Sequence, residues 1–113
     1  MSINVLDVFA GCGGMSLGAK WAGLQSVLAI DADQNCNATY SCNFPGVPFI
    51  CKDIRTISAH QICNQTGKKI DIIVGGPPCQ GFSLANKHRN RKKDPRNYLL
   101  YEFVRFVSIL KPK

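Results

Sequence analysis

The stretch NVLDVFAGCGGMSLGAKW, residues 4–21, contains the three local patterns on which the expected fold depends. An apolar run ends at Phe9, a four-residue segment with three glycines follows, and a helical pattern then continues to Trp21. An apolar run, a glycine-rich turn and a segment of helical spacing predict a strand, a tight turn and a helix. We therefore expect one strand-turn-helix unit here.

The same order of patterns continues along the chain. The expected strands are residues 4–9, 26–30, 47–51 and 70–74, and the expected helices run up to residue 21, over 35–44, within 58–69 and over 99–110. Pro45, Gly67 and Pro112 stand where the last three helices should end. Alternating strands and helices with short connections predict an α/β fold with a doubly wound, mostly parallel sheet. We expect residues 1–113 to form one domain around one core.

Composition argues against several classes of protein. The six cysteines form no CxxC pair and lack a His-x-x-x-His partner, so neither a metal site nor a disulfide framework is expected. The chain lacks the roughly 20 consecutive apolar residues of a membrane span and the basic start of a signal peptide. We expect an intracellular protein without a membrane partner, in the cytoplasm or nucleoid if its source is bacterial or archaeal.

Positive charge is concentrated in one segment. The net charge is +7, and residues 87–93 contain six basic side chains and no acid. A polyanionic partner would explain this run, and a solvated loop would explain it as well on charge alone. Its position shortly after Cys79 favours the polyanion.

The first two strands end in features that suit a nucleoside. Glycines after a first strand let the backbone approach a ligand closely, but Ser16 occupies the sixth position of a GxGxxG fingerprint that would start at Gly11. Asp31 follows Gly11 by 20 residues, where an acid can accept hydrogen bonds from a ribose. These observations favour an adenosine-containing ligand without a pyrophosphate. A helix N-cap or a turn acid is the alternative role for Asp31, and Asp33 and Asn35 could serve that role equally well.

Two longer motifs are more specific. DVFAGCGGMSLG at residues 7–18 and GGPPCQGFS at residues 75–83 resemble the signature motifs of DNA cytosine-5 methyltransferases. The resemblance covers essentially the whole chain and implies a Rossmann-like S-adenosylmethionine-dependent methyltransferase fold, of which the chain would contain the first four strands. It also implies S-adenosyl-L-methionine as cofactor and double-stranded DNA as partner.

The resemblance implies a set of cofactor-binding residues. In it, Asp31 would hold the ribose and Asp53 would face the adenine amino group. The family usually has Glu where Asp31 stands and often a bulky residue where Ala32 stands. The carboxylate is therefore expected to reach less far here, and stacking on the adenine is expected to be weaker. The full set is Phe9, Ala10, Gly11, Cys12, Gly13, Gly14, Asp31, Ala32, Asp53, Ile54, Pro77 and Leu99.

Cys79 is the expected catalytic nucleophile. Carbon 5 of cytosine is too electron-poor to attack a methyl sulfonium directly, whereas addition of a thiolate at carbon 6 makes it nucleophilic. Pro77 and Pro78 would fix the thiol at the end of the fourth strand. Without the surrounding motif, one more buried thiol would be the better interpretation of Cys79.

The residues after Cys79 are expected to contact DNA. The target base must leave the duplex to reach the thiol, and a basic loop can bind the phosphates without reading sequence. The expected DNA-contacting residues are Gln80, Ser83, Lys87, Arg89, Arg91, Lys92 and Lys93.

The family's later motifs do not appear before Lys113. Glu102 lies within the last helical pattern and is expected to be a surface residue rather than the family's catalytic glutamate. Three interpretations stay open: part of a DNA methyltransferase, an RNA cytosine methyltransferase of the same fold, and a non-catalytic remnant or subunit. A second polypeptide with the missing motifs is a possible partner.

Overall fold

The computed structural model describes residues 2–78 and 97–113. Its strands are β1 (Asn4–Val8), β2 (Gln25–Asp31), β3 (Phe49–Cys51) and β4 (Ile72–Gly75), and its helices are α1 (Gly14–Trp21), α2 (Gln34–Asn43), α3 (Ala59–Thr66) and α4 (Asn97–Leu110). A short 3-10 turn, Ile54–Thr56, lies between β3 and α3. Within the described part of the chain, no helix is long and apolar enough to cross a bilayer.

The four strands form one parallel sheet in the order β3-β2-β1-β4. Parallel neighbours require crossover connections, and the helices between successive strands supply them. The expected α/β fold with a doubly wound, mostly parallel sheet is therefore confirmed. Because all four strands point the same way, their carboxyl ends share one edge of the sheet.

The sheet is buried on both faces. Leu6, Val8, Leu28 and Ile30 pack with Ile62 and Phe106 in the larger cluster, and Ala29 packs with Tyr40 in a smaller cluster that Phe44 and Phe49 border. Alternate residues of a strand point to opposite faces, which explains why Ala29 faces α2 while its neighbours face the helices on the other side. The central strands β1 and β2 consequently carry the core.

Local sequence signals explain the ends of the helices. Asp33 caps α2 by accepting a hydrogen bond from the Asn35 N–H at 2.8 Å. Ser58 forms a capping box with Gln61 at the start of α3, and Gly67 ends that helix in the left-handed conformation with φ of 59°. The expected end near Gly67 is confirmed.

Two expected strand starts are corrected. The third strand starts at Phe49 rather than residue 47, since Pro48 has no N–H to donate to a strand ladder. The fourth starts at Ile72 rather than residue 70. In α4, Phe106 is buried, whereas Leu100 and Val104 are 42% and 51% exposed.

Candidate functional site

The glycine-rich turn after β1 adopts strained and compact geometry. Phe9 has a φ of 54°, a left-handed conformation that costs a residue with a Cβ about 1–2 kcal/mol. Gly13 has a φ of 101°, and a Cβ there would lie 2.6 Å from Cε2 of Phe44 and 3.0 Å from the Tyr40 ring. Only glycine fits at this position. Strain of this kind is concentrated at ligand sites, so the turn is a candidate for ligand contact.

A buried cluster of three polar side chains lies next to the glycine-rich turn. Ser16 Oγ donates to Asp7 Oδ2 at 2.6 Å and lies 2.7 Å from the Tyr40 hydroxyl. Asp7 is fully buried, and burial raises the pKa of its carboxyl above the usual value despite the hydrogen bond from Ser16. The three side chains join β1, α1 and α2 beneath the turn.

Asp31 links the turn to the end of β2. Its Oδ2 accepts the Gly11 N–H at 2.9 Å, and its Oδ1 accepts the Asp33 N–H at 2.9 Å. The N-cap role belongs to Asp33, whereas the hydrogen bond from the Asp33 N–H to Asp31 Oδ1 is the local contact of a turn acid. A carboxylate offers about four lone-pair sites, which leaves each oxygen able to accept from a further donor.

A cavity of about 330 Å³ opens at the carboxyl ends of the strands. Its volume falls within the range of small-molecule sites, about 300–1,000 Å³. Apolar side chains form most of its lining, with acids on two sides. The lining residues are Phe9, Ile30, Asp31, Ala32, Asp53, Ile54, Arg55, Gly76, Pro78 and Leu99.

The structure brings half of the expected cofactor residues to this cavity and places the others elsewhere. Those that line it are Phe9, Asp31, Ala32, Asp53, Ile54 and Leu99. Cys12, Gly13 and Gly14 instead line a second cavity of about 410 Å³ beside Phe44, the C-cap of α2. Gly11 reaches the first site through its hydrogen bond to Asp31, Ala10 is buried, and Pro78 rather than Pro77 borders the cavity.

Asp53, the second acid that lines the cavity, is paired with Arg55. The Arg55 guanidinium donates from Nη2 to Asp53 Oδ2 at 2.6 Å and from Nε to both carboxylate oxygens at 3.1 Å. These hydrogen bonds hold the pKa of Asp53 below its usual value. Nothing in the sequence motifs pointed to Arg55, although its spacing from Asp53 permits the pair.

Strand β4, which leads into the GGPPCQGFS motif, lies beside β1 in the sheet. Gly75 pairs with Val8, and a Cβ at Gly75 would lie 2.3 Å from the Val8 carbonyl oxygen and 3.2 Å from the Phe103 ring. Cys79, the expected nucleophile, lies outside the described residues, as do the expected DNA contacts. Those contacts are Gln80, Ser83, Lys87, Arg89, Arg91, Lys92 and Lys93.

Glu102, which was expected to be a surface residue, is partly buried. Its side chain is 22% exposed and accepts a hydrogen bond from Arg105 Nε at 2.6 Å. The carboxylate therefore still reaches solvent, and its partner is a cation one helical turn away. Residues 2–78 and 97–113 contain no group of three or more His, Cys, Asp and Glu side chains that could hold a metal ion.

Comparison with known proteins identifies close relatives. The chain is 48% identical over 111 residues to the Type II methyltransferase M.DdeI of Desulfomicrobium norvegicum and 41% identical over 115 residues to M1.HphI of Haemophilus parahaemolyticus. The matches cover 98% and 100% of this chain but 26% and 31% of those proteins. The chain thus spans about a quarter to a third of the length of these relatives.

Solved structures give the same result. A proposed DNA modification methyltransferase encoded within an E. coli prophage superposes with a TM-score of 0.84 at 41% identity, covering 98% of this chain and 30% of that one. A Spodoptera frugiperda DNMT2 variant superposes with a TM-score of 0.72 at 28% identity, covering 96% and 32%. The sequence profile of the C-5 cytosine-specific DNA methylases matches residues 3–113. This chain therefore belongs to the C-5 cytosine-specific DNA methylase family.

Proposed function

We propose that residues 1–113 form the cofactor-binding and nucleophile-bearing part of an enzyme that methylates carbon 5 of cytosine in DNA. The observation that carries this proposal is the cavity between Asp31 and Asp53, which lies at the carboxyl ends of β1 and β2 beside the glycine-rich turn. Ligands bind at this edge in doubly wound sheets. The family membership supplies the reaction, and the cavity supplies a site for its cofactor.

The lining of the cavity fits S-adenosyl-L-methionine. Asp31 has free lone pairs for two ribose hydroxyls, and the small Ala32 side chain leaves room beside them. Ile54 and Leu99 offer apolar surface to a purine. Asp53 can accept from the adenine amino group if it shares its carboxylate with Arg55. When bound, the cofactor supplies an electrophilic methyl group on a sulfonium.

In the proposed mechanism Cys79 attacks the base. Its thiolate forms a bond to carbon 6 of cytosine, and the electron pair of the ring double bond then makes carbon 5 nucleophilic. At an ordinary pKa near 8.5 only a few per cent of a thiol is ionised at neutral pH, so the reaction requires a site that favours the anion or supplies an acid to the base. After methylation, loss of the carbon 5 proton restores the double bond and expels the thiolate.

The proposed DNA partner follows from the basic run at residues 87–93. A cytosine that is flipped out of the duplex reaches the thiol, and the cations of the run bind the phosphates around it. Such contacts strengthen binding without selecting a sequence. A second polypeptide that carries the family's later motifs stays a prediction.

Calorimetry on the chain tests the cofactor proposal. S-adenosylmethionine should bind with at least about tenfold higher affinity than NAD, because the turn lacks the fingerprint that accommodates a pyrophosphate. Competition between S-adenosylmethionine and S-adenosylhomocysteine should show a single shared site. Equal or tighter binding of NAD would contradict the proposal.

A further inference from the structure

The wall of the cavity that carries Asp53 continues into the short 3-10 turn Ile54–Thr56. The Thr56 N–H and Oγ1 donate to the Asp53 carbonyl at 2.9 and 2.7 Å, and the Ile57 N–H donates to the Ile54 carbonyl at 3.2 Å. These hydrogen bonds lie within the turn and fix its shape. Its placement against the rest of the protein depends on contacts with other elements.

Arg105 of α4 supplies such a contact. Its Nη2 donates to the Ile54 carbonyl at 3.0 Å and to the Ile57 carbonyl at 2.9 Å, across 51 and 48 residues of sequence. One nitrogen thus bridges the first residue of the turn and the residue that follows its end. We call these two hydrogen bonds the Arg105 clamp. The guanidinium carbon lies 4.5 Å from the centroid of the Phe106 ring, which is itself fully buried.

Charges of alternating sign extend from the clamp to the cavity. Glu102 Oε2 accepts from Arg105 Nε at 2.6 Å, with both side chains partly buried. The pKa of Arg55 is raised mainly by its hydrogen bonds to Asp53 and further by the negative charge of Glu102. Glu102 is therefore hydrogen-bonded to Arg105, and its charge makes a smaller contribution to stabilising Arg55, the cation that holds Asp53.

We propose that Arg105 is a positioning residue, which holds the turn so that Asp53 faces the adenine amino group. The same helix contributes Leu99 to the cavity, so the clamp fixes two of its walls relative to each other. Lysine cannot reproduce the clamp, because one ammonium lacks the planar fork that serves two carbonyls and a carboxylate together. This inference rests on the proposed cofactor site.

The test compares two ligands that differ at the position Asp53 would contact. S-adenosylhomocysteine carries the adenine amino group, and S-inosylhomocysteine carries a carbonyl oxygen in its place. A hydrogen bond to a charged group corresponds to about tenfold or more in affinity, so the wild-type chain should prefer the first ligand by at least that factor. Calorimetry on the full chain gives both dissociation constants and their ratio.

Arg105→Met should reduce this ratio at least threefold, and Arg105→Lys should reduce it less. Ile62→Val is the matched control, because it removes a methyl group from the same core and leaves both hydrogen bonds of the clamp in place. The ratio of the two dissociation constants for Ile62→Val should stay at the wild-type value, even if the unfolding temperature of this variant falls as far as that of Arg105→Met. Hydrogen exchange at the Thr56 and Ile57 amides should be faster in Arg105→Met and unchanged in the control relative to global unfolding.

The outcomes separate the two proposals. A folded Arg105→Met variant with the wild-type ratio and unchanged exchange overturns the positioning role. If Arg105→Met does not fold, Arg105→Lys and Glu102→Gln decide the question by the same two measurements. Failure of the wild-type chain to bind either ligand overturns the proposed function, whereas faster exchange at the turn would still support the clamp as what holds this wall.

Discussion

Replacement of Asp31 by alanine tests the cofactor site most directly. The change removes both acceptors that hold the Gly11 and Asp33 N–H groups at 2.9 Å, together with the proposed ribose contacts. A hydrogen bond to a charged group contributes about 1.5–3 kcal/mol, and water can replace part of it at this half-exposed edge. We expect a net loss of about 1–3 kcal/mol in binding, or a dissociation constant raised about 5- to 150-fold.

The same change should weaken the fold only modestly. Loss of the partly buried hydrogen bond to Gly11 should lower the free energy of unfolding by about 1 kcal/mol, which urea denaturation measures. Cofactor affinity is measured by calorimetry with S-adenosylhomocysteine. Asp33→Ser is the matched control, because it removes a neighbouring charge while serine keeps the N-cap of α2. It should change the affinity less than about twofold.

Two results would refute the reasoning. A folded Asp31→Ala variant that binds with wild-type affinity removes Asp31 from the site. An equal loss of affinity in Asp33→Ser would assign the effect to the general negative charge at this edge rather than to hydrogen bonds from the ribose.

Three further predictions concern other groups. Burial raises the pKa of Asp7, so the folded chain takes up a proton before the unfolded chain as pH falls. As pH is lowered from 7 to about 4, the free energy of unfolding of the wild type should therefore rise relative to that of Asp7→Asn. A difference that stays constant with pH in urea denaturation would argue against this prediction. With the C-terminal portion of a relative supplied in trans, Cys79→Ala should abolish methyl transfer and covalent trapping by a 5-fluorocytosine duplex while leaving cofactor affinity nearly unchanged. Cys63→Ala, at an exposed thiol, is the control. An adduct on another cysteine would contradict the assignment of Cys79 as the nucleophile. In the same assembly, neutralising the lysines and arginines within residues 87–93 should reduce the slope of log affinity against log salt by about 0.9 per lost phosphate contact; an unchanged slope would identify the run as a solvated loop.

The sequence was informative wherever the signal was local. The glycines after β1 predicted the turn, the apolar run before Asp31 predicted β2, and Gly67 marked the end of α3. These features depend on backbone freedom and on periodicity within a few residues. The fold class followed from their order along the chain.

Contacts between distant segments could not be read in the same way. The hydrogen bonds from Arg105 to the 3-10 turn cross about 50 residues, and no motif marks either end. The division of the glycine-rich turn between two cavities was also hidden, because it depends on how Tyr40 and Phe44 pack against Gly13. Such details depend on tertiary packing between residues far apart in the chain, which local sequence patterns do not predict.

Gly75 changes how the first glycine of the GGPPC motif is understood. It lines neither of the two cavities; instead its missing side chain leaves room for the carbonyl of Val8 and the ring of Phe103. The ends of β4 and β1 therefore lie side by side with no side chain of residue 75 between them. An alanine at this position would push the two strand ends apart and displace the residues that follow each of them.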